Sequence, residues 1–449
     1  MTNNKLMSTA EKAAELLAAQ KTAGFDIYVR GSSSTSVEVK EQKLDAFEES
    51  QTWGVGIRVL LADGRMGFAY STGSEDAVKE AASKAFENAG NSEPDKGNVI
   101  PSQPDTPYPD FVEYDEDALT VSEQQKIDYA MEVERATRAY DPRIVRIRKA
   151  SASFSEAEWV ILSSSGIKVS SRGTYFSCGV MAVAEEDHES QMGYEFNYKR
   201  RLKGMDYSWV GTSAAKQAIG LLGAKKSPTG LYPVILENLV ASEFLGVLSA
   251  SFSADALIKG RSLLAGKVGA KVCSPLINIY DDGLLSGGAG SKSFDDEGIP
   301  CLKTPLIVNG VFEGFLHNAY TARRTGGTST GNAVRGGFRA QPSVGSNNLY
   351  IEKGNATKDE LIAGVSNGLM VQEVLGMHTA NPISGDFSVG VSGQWIEGGK
   401  VAYPVREAAI SGNILSLFSE VETVGSDLRL VGRIGAPSIL LKPLSVSGS

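Results

Sequence analysis

The chain has 449 residues, of which 42% are hydrophobic and 22% charged, and its formal net charge at pH 7 is −9. This length exceeds the ~250–300 residues at which a single hydrophobic core stops growing, so we expect two or more domains. The composition excludes a disordered or fibrous chain, and the acidic balance disfavours direct binding to nucleic acid, whose phosphates attract basic surfaces.

No stretch of the sequence approaches the ~18 uninterrupted apolar residues of a membrane span. The first residues lack the apolar segment of a signal peptide, so we expect a cytoplasmic protein without a membrane contact. The three cysteines are scattered, and none of them forms a C-x-x-C pair. This pattern disfavours both a disulfide framework and a thiolate metal site.

The first 90 residues predict two helices around an antiparallel sheet. Ser8 and Glu11 have the spacing of a capping box, which predicts a helix at about 9–22. Apolar residues at helical spacing predict a second helix from Ser74 to Asn88. Between the helices, alternating or β-branched residues predict four strands, at 25–30, 36–40, 55–61 and 66–70.

A proline-rich stretch separates this first part from a second part with a similar order of elements. Residues 91–121 contain five prolines, which favour an extended surface connection. Helices are then predicted at about 122–139 and 207–223. They lie on either side of five predicted strands, at 144–147, 159–163, 167–170, 174–184 and 191–198.

A third, mostly β region begins at Pro228 to Gly230. A strand at 232–236 precedes a buried helix at about 238–256, and short strands separated by Gly, Asn and Ser turns follow. The predicted fold class is α+β, with N-terminal helix-flanked antiparallel sheets followed by a mostly β C-terminal domain. The predicted boundaries are 1–90 and 122–227 for the two α+β subdomains, 91–121 for their connection, and 228–449 for the C-terminal domain.

Residues 281–337 are the most distinctive stretch of the chain. Asn309-Gly310 separates two apolar segments and predicts a β-hairpin with a two-residue turn, because both residues tolerate positive φ. Two acidic pairs, Asp281-Asp282 and Asp295-Asp296, precede this hairpin. Such pairs hold a cation or act as acid and base, but more often they are turn residues that bond nearby N–H groups.

Several motifs in this stretch and beyond it resemble one family. The motifs are FDDEGIP at 294–300, VNGVFEGFLHN at 308–318, YTARRTG at 320–326, TGNAVR at 330–335, SGDFSVGVSGQWIEGGKVAYPV at 384–405 and ISGNILSLF at 410–418. In sequence and order they resemble the TldD/PmbA family, formerly called modulators of DNA gyrase. The resemblance is strong over about the last half of the chain and extends only as a pattern over the first half.

The catalytic subunit of the resembled family carries H-E-x-x-x-H on a helix, with two histidines that bind zinc and a glutamate that activates water. That helix corresponds to 238–256 here. Gly246, Val247 and Ser251 occupy the positions of the two His and the Glu. Glycine and valine have no ligand atoms, and a serine hydroxyl is a poor zinc donor, so we expect no catalytic residue and no metal site in this chain.

The resemblance also implies a branch of the family and a partner. The catalytic subunit uses a late cysteine as a ligand, whereas this chain has no cysteine after Cys301. Both absences match the TldE or PmbA branch, which pairs with a zinc-bearing TldD to make a peptidase. We therefore expect a TldD-like partner that holds the zinc, peptide substrates and no activity of this chain alone, while a homodimer stays open. Interface or chamber-lining roles are expected for six residues: Asp295, Asp296, Arg323, Arg324, Asn332 and Asp386.

Two other functions stay open from the sequence. One is a non-proteolytic adaptor that modulates a partner such as DNA gyrase. The other is a self-sufficient hydrolase that uses Asp295, Asp296 or Ser329. Ser329 lies in a G-x-S-x-G match, but a polar loop precedes it instead of a buried strand, which disfavours a nucleophile elbow. The three histidines are predicted to occupy a solvated turn, a strand end and a loop, at His188, His317 and His378.

Overall fold

The computed structural model describes residues 3–448, apart from the side chains of Asn3, Glu75 and Leu119. The strands of the first half are β1 Gly24–Lys40, β2 Lys43–Leu60, β3 Met66–Ser71, β4 Ile144–Ser163, β5 Lys168–Glu186 and β6 Glu189–Lys199. Its helices are α1 Asn3–Ala18, α2 Glu75–Gly90, α3 Glu123–Tyr140 and α4 Tyr207–Gly220. The six strands form one antiparallel sheet with the order β3-β2-β1-β4-β5-β6.

The strands that the sequence suggested for two sheets run on as a single sheet. β1 and β4 pair directly over fourteen residue positions, from Asp26 opposite Ser163 to Val39 opposite Ala150. β1 also continues through Gly31 to Thr35, where the sequence suggested a break between two strands. A polar segment is held in this extended form because β2 and β4 hydrogen-bond to it from both sides.

The two faces of this sheet have different coverings. α1 with α2, and α3 with α4, pack on one face over two separate apolar cores. The opposite face carries Tyr28 and Trp159 and packs against Phe294 and Phe338 from the second half of the chain. Because side chains alternate along a strand, β1 and β4 take part in both layers.

The helix ends follow local capping in two cases and differ from the prediction in one. Ser74 caps α2, and Ser122 caps α3 in a capping box with Gln125. The capping box predicted at Ser8 is wrong, because the apolar face of α1 already begins at Leu6 and the helix starts before Ser8. Among residues 3–448 we find no helix with both the length and the apolar character that a membrane span requires.

The second half contains fifteen strands and five helices in its described part. The strands are β7 Lys225–Lys226, β8 Gly230–Leu236, β9 Ile279–Asp282, β10 Lys303–Val308, β11 Val311–Phe312, β12 Ala333–Val334, β13 Ser343–Val344, β14 Leu349–Ile351, β15 Asn367–Leu375, β16 Asp386–Glu397, β17 Lys400–Asn413, β18 Val421–Val424, β19 Arg429–Val431, β20 Ile434–Ala436 and β21 Ile439–Gly448. The helices are α5 Asn238–Ser249, α6 Ala254–Ile258, α7 Ala319–Thr325, α8 Lys358–Ala363 and α9 Ile414–Ser419.

Two larger sheets organise this half. One has the order β18-β21-β8-β15-β16-β17-β7, and an additional pairing of β21 with β17 closes five of its strands into a ring. The other has the order β11-β10-β9-β14-β20-β19. α5 packs between them, and its Phe244, Leu245 and Leu248 lie in the largest apolar core of the chain. Helix-flanked strands followed by a mostly β half confirm the predicted α+β class.

The hairpin predicted at Asn309-Gly310 is confirmed. β10 pairs with β11 across this turn, and the two turn residues have φ of 49° and 77°. These are the positive values that the two-residue turn requires.

Candidate functional site

The helix that corresponds to the zinc-binding position is shorter than predicted. α5 ends at Ser249 and the short α6 begins only at Ala254, so the single helix predicted at 238–256 is wrong. The break lets the backbone pair with another segment. The Leu316 N–H donates to the Phe252 carbonyl at 2.8 Å, and the Ala254 N–H donates to the Leu316 carbonyl at 3.0 Å. A continuous helix would have used these groups for its own i→i−4 bonds.

The three residues at the family's motif positions cannot assemble a zinc site. Gly246 and Val247 offer no donor atom. The Ser251 side chain is fully buried, and its hydroxyl accepts the Leu263 N–H at 3.3 Å. Across residues 3–448, no group of three or more His, Cys, Asp or Glu is arranged to hold a metal ion. These three residues therefore do not fit the zinc ion that the resemblance implies for the catalytic subunit.

A groove lies over α5 at the place where this motif would stand. Its cavity has a volume of about 450 Å³, which is within the size range of ligand pockets. A methyl group added at Gly246 would lie 3.7 Å from the Ile434 side chain, an ordinary van der Waals distance. The lining comes from β6, from α4 and the residue after it, and from α5, β15, β16, β19 and β20. The lining residues are Met192, Tyr194, Phe196, Gln217, Leu221, Leu239, Ser242, Glu243, Gly246, Gln372, Glu373, Val374, Ser392, Val431 and Ile434.

Two carboxylates lie in this mostly apolar groove. Glu243 is on α5, and Glu373 is on the neighbouring strand β15, where it accepts the Ser392 hydroxyl at 2.9 Å. Burial raises the pKa of Glu243, and the nearby charge of Glu373 raises it further. Among residues 3–448, no hydrogen-bond donor or cation contacts the Glu243 carboxylate. The groove therefore presents two exposed carboxylates that no cation of the described residues contacts.

The wall formed by β6 is the free edge of the first sheet, because β5 is its only strand neighbour in the described part of the chain. Phe196 shows which groups point outward: its N–H donates to the Glu195 carboxylate at 2.8 Å, and its carbonyl accepts from Arg429 at 2.8 Å. Along an antiparallel strand, the backbone N–H and carbonyl groups of every second residue point to the same side. Those of Met192 and Tyr194 therefore point away from β5, as those of Phe196 do. Their side chains are 52% and 53% exposed.

Asp295 and Asp296 are placed differently, as buried carboxylates between the two halves of the chain. Asp295 accepts three backbone N–H groups at 2.9–3.0 Å, those of Glu297, Ile299 and Ala333. Asp296 accepts the Lys292 ammonium at 2.8 Å and the Arg335 N–H at 2.7 Å. Asp295 thus fills the turn-forming role that is more frequent for such pairs, whereas Asp296 forms a buried ion pair with Lys292.

An ionic network continues from these carboxylates into the first sheet. Asp26 on β1 accepts hydrogen bonds from Arg58 on β2 and from Arg335, the latter at 3.0 Å. Arg58 also contacts Glu297 at 3.0 Å. The four side chains are at most 5% exposed. This network joins the first sheet to the loops at 297 and 335.

Burial raises the pKa of each of these carboxyl groups, and neighbouring charges decide the net direction. Burial raises the pKa of Asp281 to about 6, although the Asn332 side chain donates to its carboxylate at 2.5 Å. Burial and the charge of Glu297 also raise the pKa of Asp295. Burial would raise the pKa of Asp26 as well, but the guanidinium groups of Arg58 and Arg335 outweigh it and lower this pKa.

The other predicted interface residues lie outside this network. Arg323 and Arg324 are exposed at the end of α7, where Arg324 forms an ion pair with Asp95 of the proline-rich connection at 3.3 Å. Asp386 is exposed at the start of β16 and accepts the Asn413 side-chain amide at 3.0 Å. The structure therefore brings together Asp295, Asp296 and Asn332. Arg323 and Arg324 lie on the surface at the end of α7, and Asp386 lies on the surface at the start of β16.

Ser329 lacks the partners of a serine nucleophile. Its hydroxyl donates to the main-chain carbonyl of His317 at 3.3 Å and accepts the Gly331 N–H at 3.3 Å. The His317 ring is half-buried, and burial lowers its pKa. His188 stands in an exposed turn with φ of 68°, as predicted. His378 is exposed in a short 3-10 turn at Met377–Thr379.

The profiles of one family match nearly the whole chain. The profiles described as PmbA/TldA metallopeptidase domain 1, central domain and C-terminal domain match residues 25–89, 116–222 and 229–448, respectively. The chain belongs to the PmbA/TldD family. The metalloprotease PmbA of Escherichia coli O157:H7 is 26% identical over 450 residues, which cover 99% of this chain and 96% of that protein.

Other PmbA/TldD relatives cover the chain to a similar extent. A homologue of metalloprotease TldD from Haemophilus influenzae is 26% identical over 429 residues, which cover 88% of this chain and 87% of that protein. A Thermotoga maritima protein, named for a proposed role as modulator of a DNA gyrase, has a crystal structure that superposes with a TM-score of 0.89. It is 29% identical and covers 97% of this chain and 99% of its own.

Within this PmbA/TldD fold, sequence reasoning missed the two groove carboxylates and the β6 edge. Glu243 was within reach, because it lies three residues before Gly246 and therefore on the same side of a helix. Glu373 and Tyr194 come from strands far away in the chain. No local pattern links them to α5, so only the folded structure shows that they share its groove.

Proposed function

We propose that this chain is a zinc-less, non-catalytic subunit of a cytoplasmic TldD/TldE-like metalloprotease that degrades unfolded or extended peptides. In this proposal a TldD-like partner holds the zinc, and this chain contributes assembly and substrate enclosure. The observation that carries the proposal is the groove over α5. Gly246 of the motif positions lines this groove, neither it nor Val247 and Ser251 supplies a metal ligand, and the β6 wall has outward-pointing backbone groups.

The shape of this groove suits an extended peptide. The free edge of β6 offers main-chain hydrogen bonds at Met192 and Tyr194, which is how an added strand binds to a sheet. The apolar lining then receives the side chains that alternate toward it. Strand addition of this kind requires an unfolded segment, because a folded substrate has already paired its own backbone groups.

The self-sufficient hydrolase is less well supported. Among the described residues, both carboxylate oxygens of Asp295 and of Asp296 accept hydrogen bonds from backbone N–H groups or from Lys292. The Ser329 hydroxyl bonds only main-chain groups in the same residues. A nucleophile or general base needs an accessible atom near a proton acceptor or donor, which these side chains lack.

The test is co-expression of this chain with a TldD-like chain that carries H-E-x-x-x-H. We expect the two chains to co-purify, and we expect the pair to cleave labelled casein and short unstructured peptides in a chelator-sensitive reaction. This chain alone is expected to be inactive. Full peptidase activity of the TldD-like chain alone, with no complex formed, would refute the proposal.

A groove variant sharpens this test. Gly246→Trp places a large side chain in the groove beside Ile434, so we expect the purified pair to form but to cleave peptides more slowly. Gly314→Trp is the matched control, because a Cβ there meets no atom within 4 Å and lies outside the groove lining. Equal cleavage rates for the two variant complexes would show that the groove is not part of the substrate path.

A further inference from the structure

Glu243 is the one groove carboxylate for which the described chain supplies no partner. The neighbouring acidic side chains are occupied: Glu195 binds Arg429, and Glu237 binds Lys358 at 2.6 Å. Glu373 has only the neutral Ser392 hydroxyl as a donor. Two adjacent carboxylates thus face the cavity without a cation between them.

From this charge and the shape of the groove, we propose that the groove selects peptide segments that carry a lysine or arginine side chain. Glu243 and Glu373 are the anionic contacts for that side chain. The inference rests on the proposed peptide-binding function and names the substrate class for the same groove. Carboxylates form their strongest hydrogen bonds with such cationic donors.

The apolar walls suit the rest of a basic side chain. Lysine and arginine have an aliphatic stem of three or four methylene groups, which packs on apolar surface while the charged end reaches a polar partner. Val374 and Ile434 provide aliphatic surface, and Tyr194 and Phe196 provide aromatic rings in a stacked pair with centroids 5.9 Å apart. Aromatic faces also attract a cation directly.

The cations already near the groove do not compete for the two carboxylates. Arg429 binds Glu195 and lies over the rings of Phe196 and Trp209, with its guanidinium carbon 5.9 Å and 4.9 Å from the two centroids. Gln217 on α4 and Gln372 on β15 are neutral. The Glu243 carboxylate is exposed and has no cationic partner among the described residues, so it is accessible to a cation of a bound peptide.

The experiment measures binding of three fluorescein-labelled 12-residue peptides to the purified full-length chain by fluorescence anisotropy. The peptides are unstructured and identical except at one central position, which holds lysine, norleucine or glutamate between apolar neighbours. We expect the lysine peptide to bind about tenfold more tightly than the norleucine peptide, and the glutamate peptide to bind most weakly. The difference is expected to shrink at high salt, which screens exposed charges.

The variants assign this preference to the groove. Glu243→Gln with Glu373→Gln keeps the side-chain shapes and is expected to equalise the lysine and norleucine peptides while norleucine affinity stays unchanged. Glu243→Gln alone is expected to give an intermediate preference, and it serves if the double variant does not fold. The control Glu87→Gln removes the same charge from the exposed surface of α2 and is expected to leave the preference intact.

Each outcome decides between the proposals. Equal binding of lysine and norleucine peptides to the unmodified chain would overturn this inference and leave the peptide-binding function standing. A lysine preference that persists in the double variant would also overturn it, because the cation would then bind elsewhere. Failure of every peptide to bind would overturn the proposed function together with this inference.

Discussion

Replacing Asp26 by asparagine removes the negative charge that two buried guanidinium groups share. Arg58 and Arg335 both hydrogen-bond this carboxylate, and all three side chains are at most 5% exposed. After the substitution, one amide oxygen remains at this position, and Glu297 is the nearby carboxylate left to face the two guanidinium groups. Removing one partner of a buried ion pair costs about 3–5 kcal/mol of stability, because the remaining charge is uncompensated in the interior. We expect a loss of this size for Asp26→Asn.

Thermal unfolding at pH 7, followed by tryptophan fluorescence, measures this loss. Trp159 is buried on the side of β4 that packs against the second half of the chain, so its emission reports on this interface. For a unit of about 200 residues, the loss corresponds to a fall in Tm of roughly 6–20 °C. Because the pKa of Asp26 is lowered from 3.8, its contribution is complete above about pH 4 and is lost only as the pH falls through the folded-state pKa.

The control is Asp63→Asn, which breaks an exposed pair with Arg65. Exposed pairs contribute little, so its Tm is expected to stay near that of the unmodified chain. A loss in Asp26→Asn no larger than in this control would refute the account of the network. A second check is Asp26→Asn combined with Arg335→Met, which removes one charge of each sign. We expect the double variant to be less destabilised than the sum of the single variants.

Three further predictions concern the pH dependence, the metal and the partner surface. Burial raises the pKa of Asp281 to about 6, so its contribution to stability is complete below about pH 4 and is lost as the pH rises through 6. In Asp281→Asn, the midpoint of urea unfolding is expected to depend less on pH over this range. The purified chain, loaded with zinc and dialysed, is expected to retain far less than one ion per chain, and elemental analysis showing about one would contradict this. Arg323→Glu leaves the Arg324–Asp95 pair intact, so we expect unchanged folding but weaker recovery of a TldD-like partner; recovery at the unmodified level would remove α7 from the proposed contact.

The features that the sequence predicted well depend on neighbouring residues. The turn at Asn309-Gly310 is one, since only the local φ values are required. The turn at Glu41-Gln42 has the same kind of geometry, with φ of 52° and 55°, but its residues carry no such signal. The Glu134 carboxylate on α3 accepts both N–H groups, at 2.8 Å and 2.6 Å, and so stabilises the turn from outside. Local reasoning cannot detect a turn that a distant helix holds.

The candidate site divides in the same way. The empty positions at Gly246, Val247 and Ser251 can be found from the sequence, because a motif is defined by spacing along the chain. The groove above them cannot, because strands from both halves of the chain build its walls. The sequence leaves the acidic pair at 295–296 open between a chemical site and a turn, and the partners that decide its role include the distant Ala333 N–H for Asp295 and the distant Arg335 N–H for Asp296.

The single sheet of the first half also sets the order in which the protein becomes complete on the ribosome. β1 and β2 are consecutive and pair as a hairpin. The strand that pairs with the other edge of β1 is β4, which begins roughly 100 residues after the end of β1. At about 5–20 residues per second, the ribosome needs roughly 5–20 seconds to supply it. During that time an open strand edge invites pairing with other nascent chains. The serine and threonine residues at 32–36 make this unpaired edge hydrophilic. We expect substitution of these residues by valine to lower the yield of folded protein during synthesis, while the structure of the folded protein changes little.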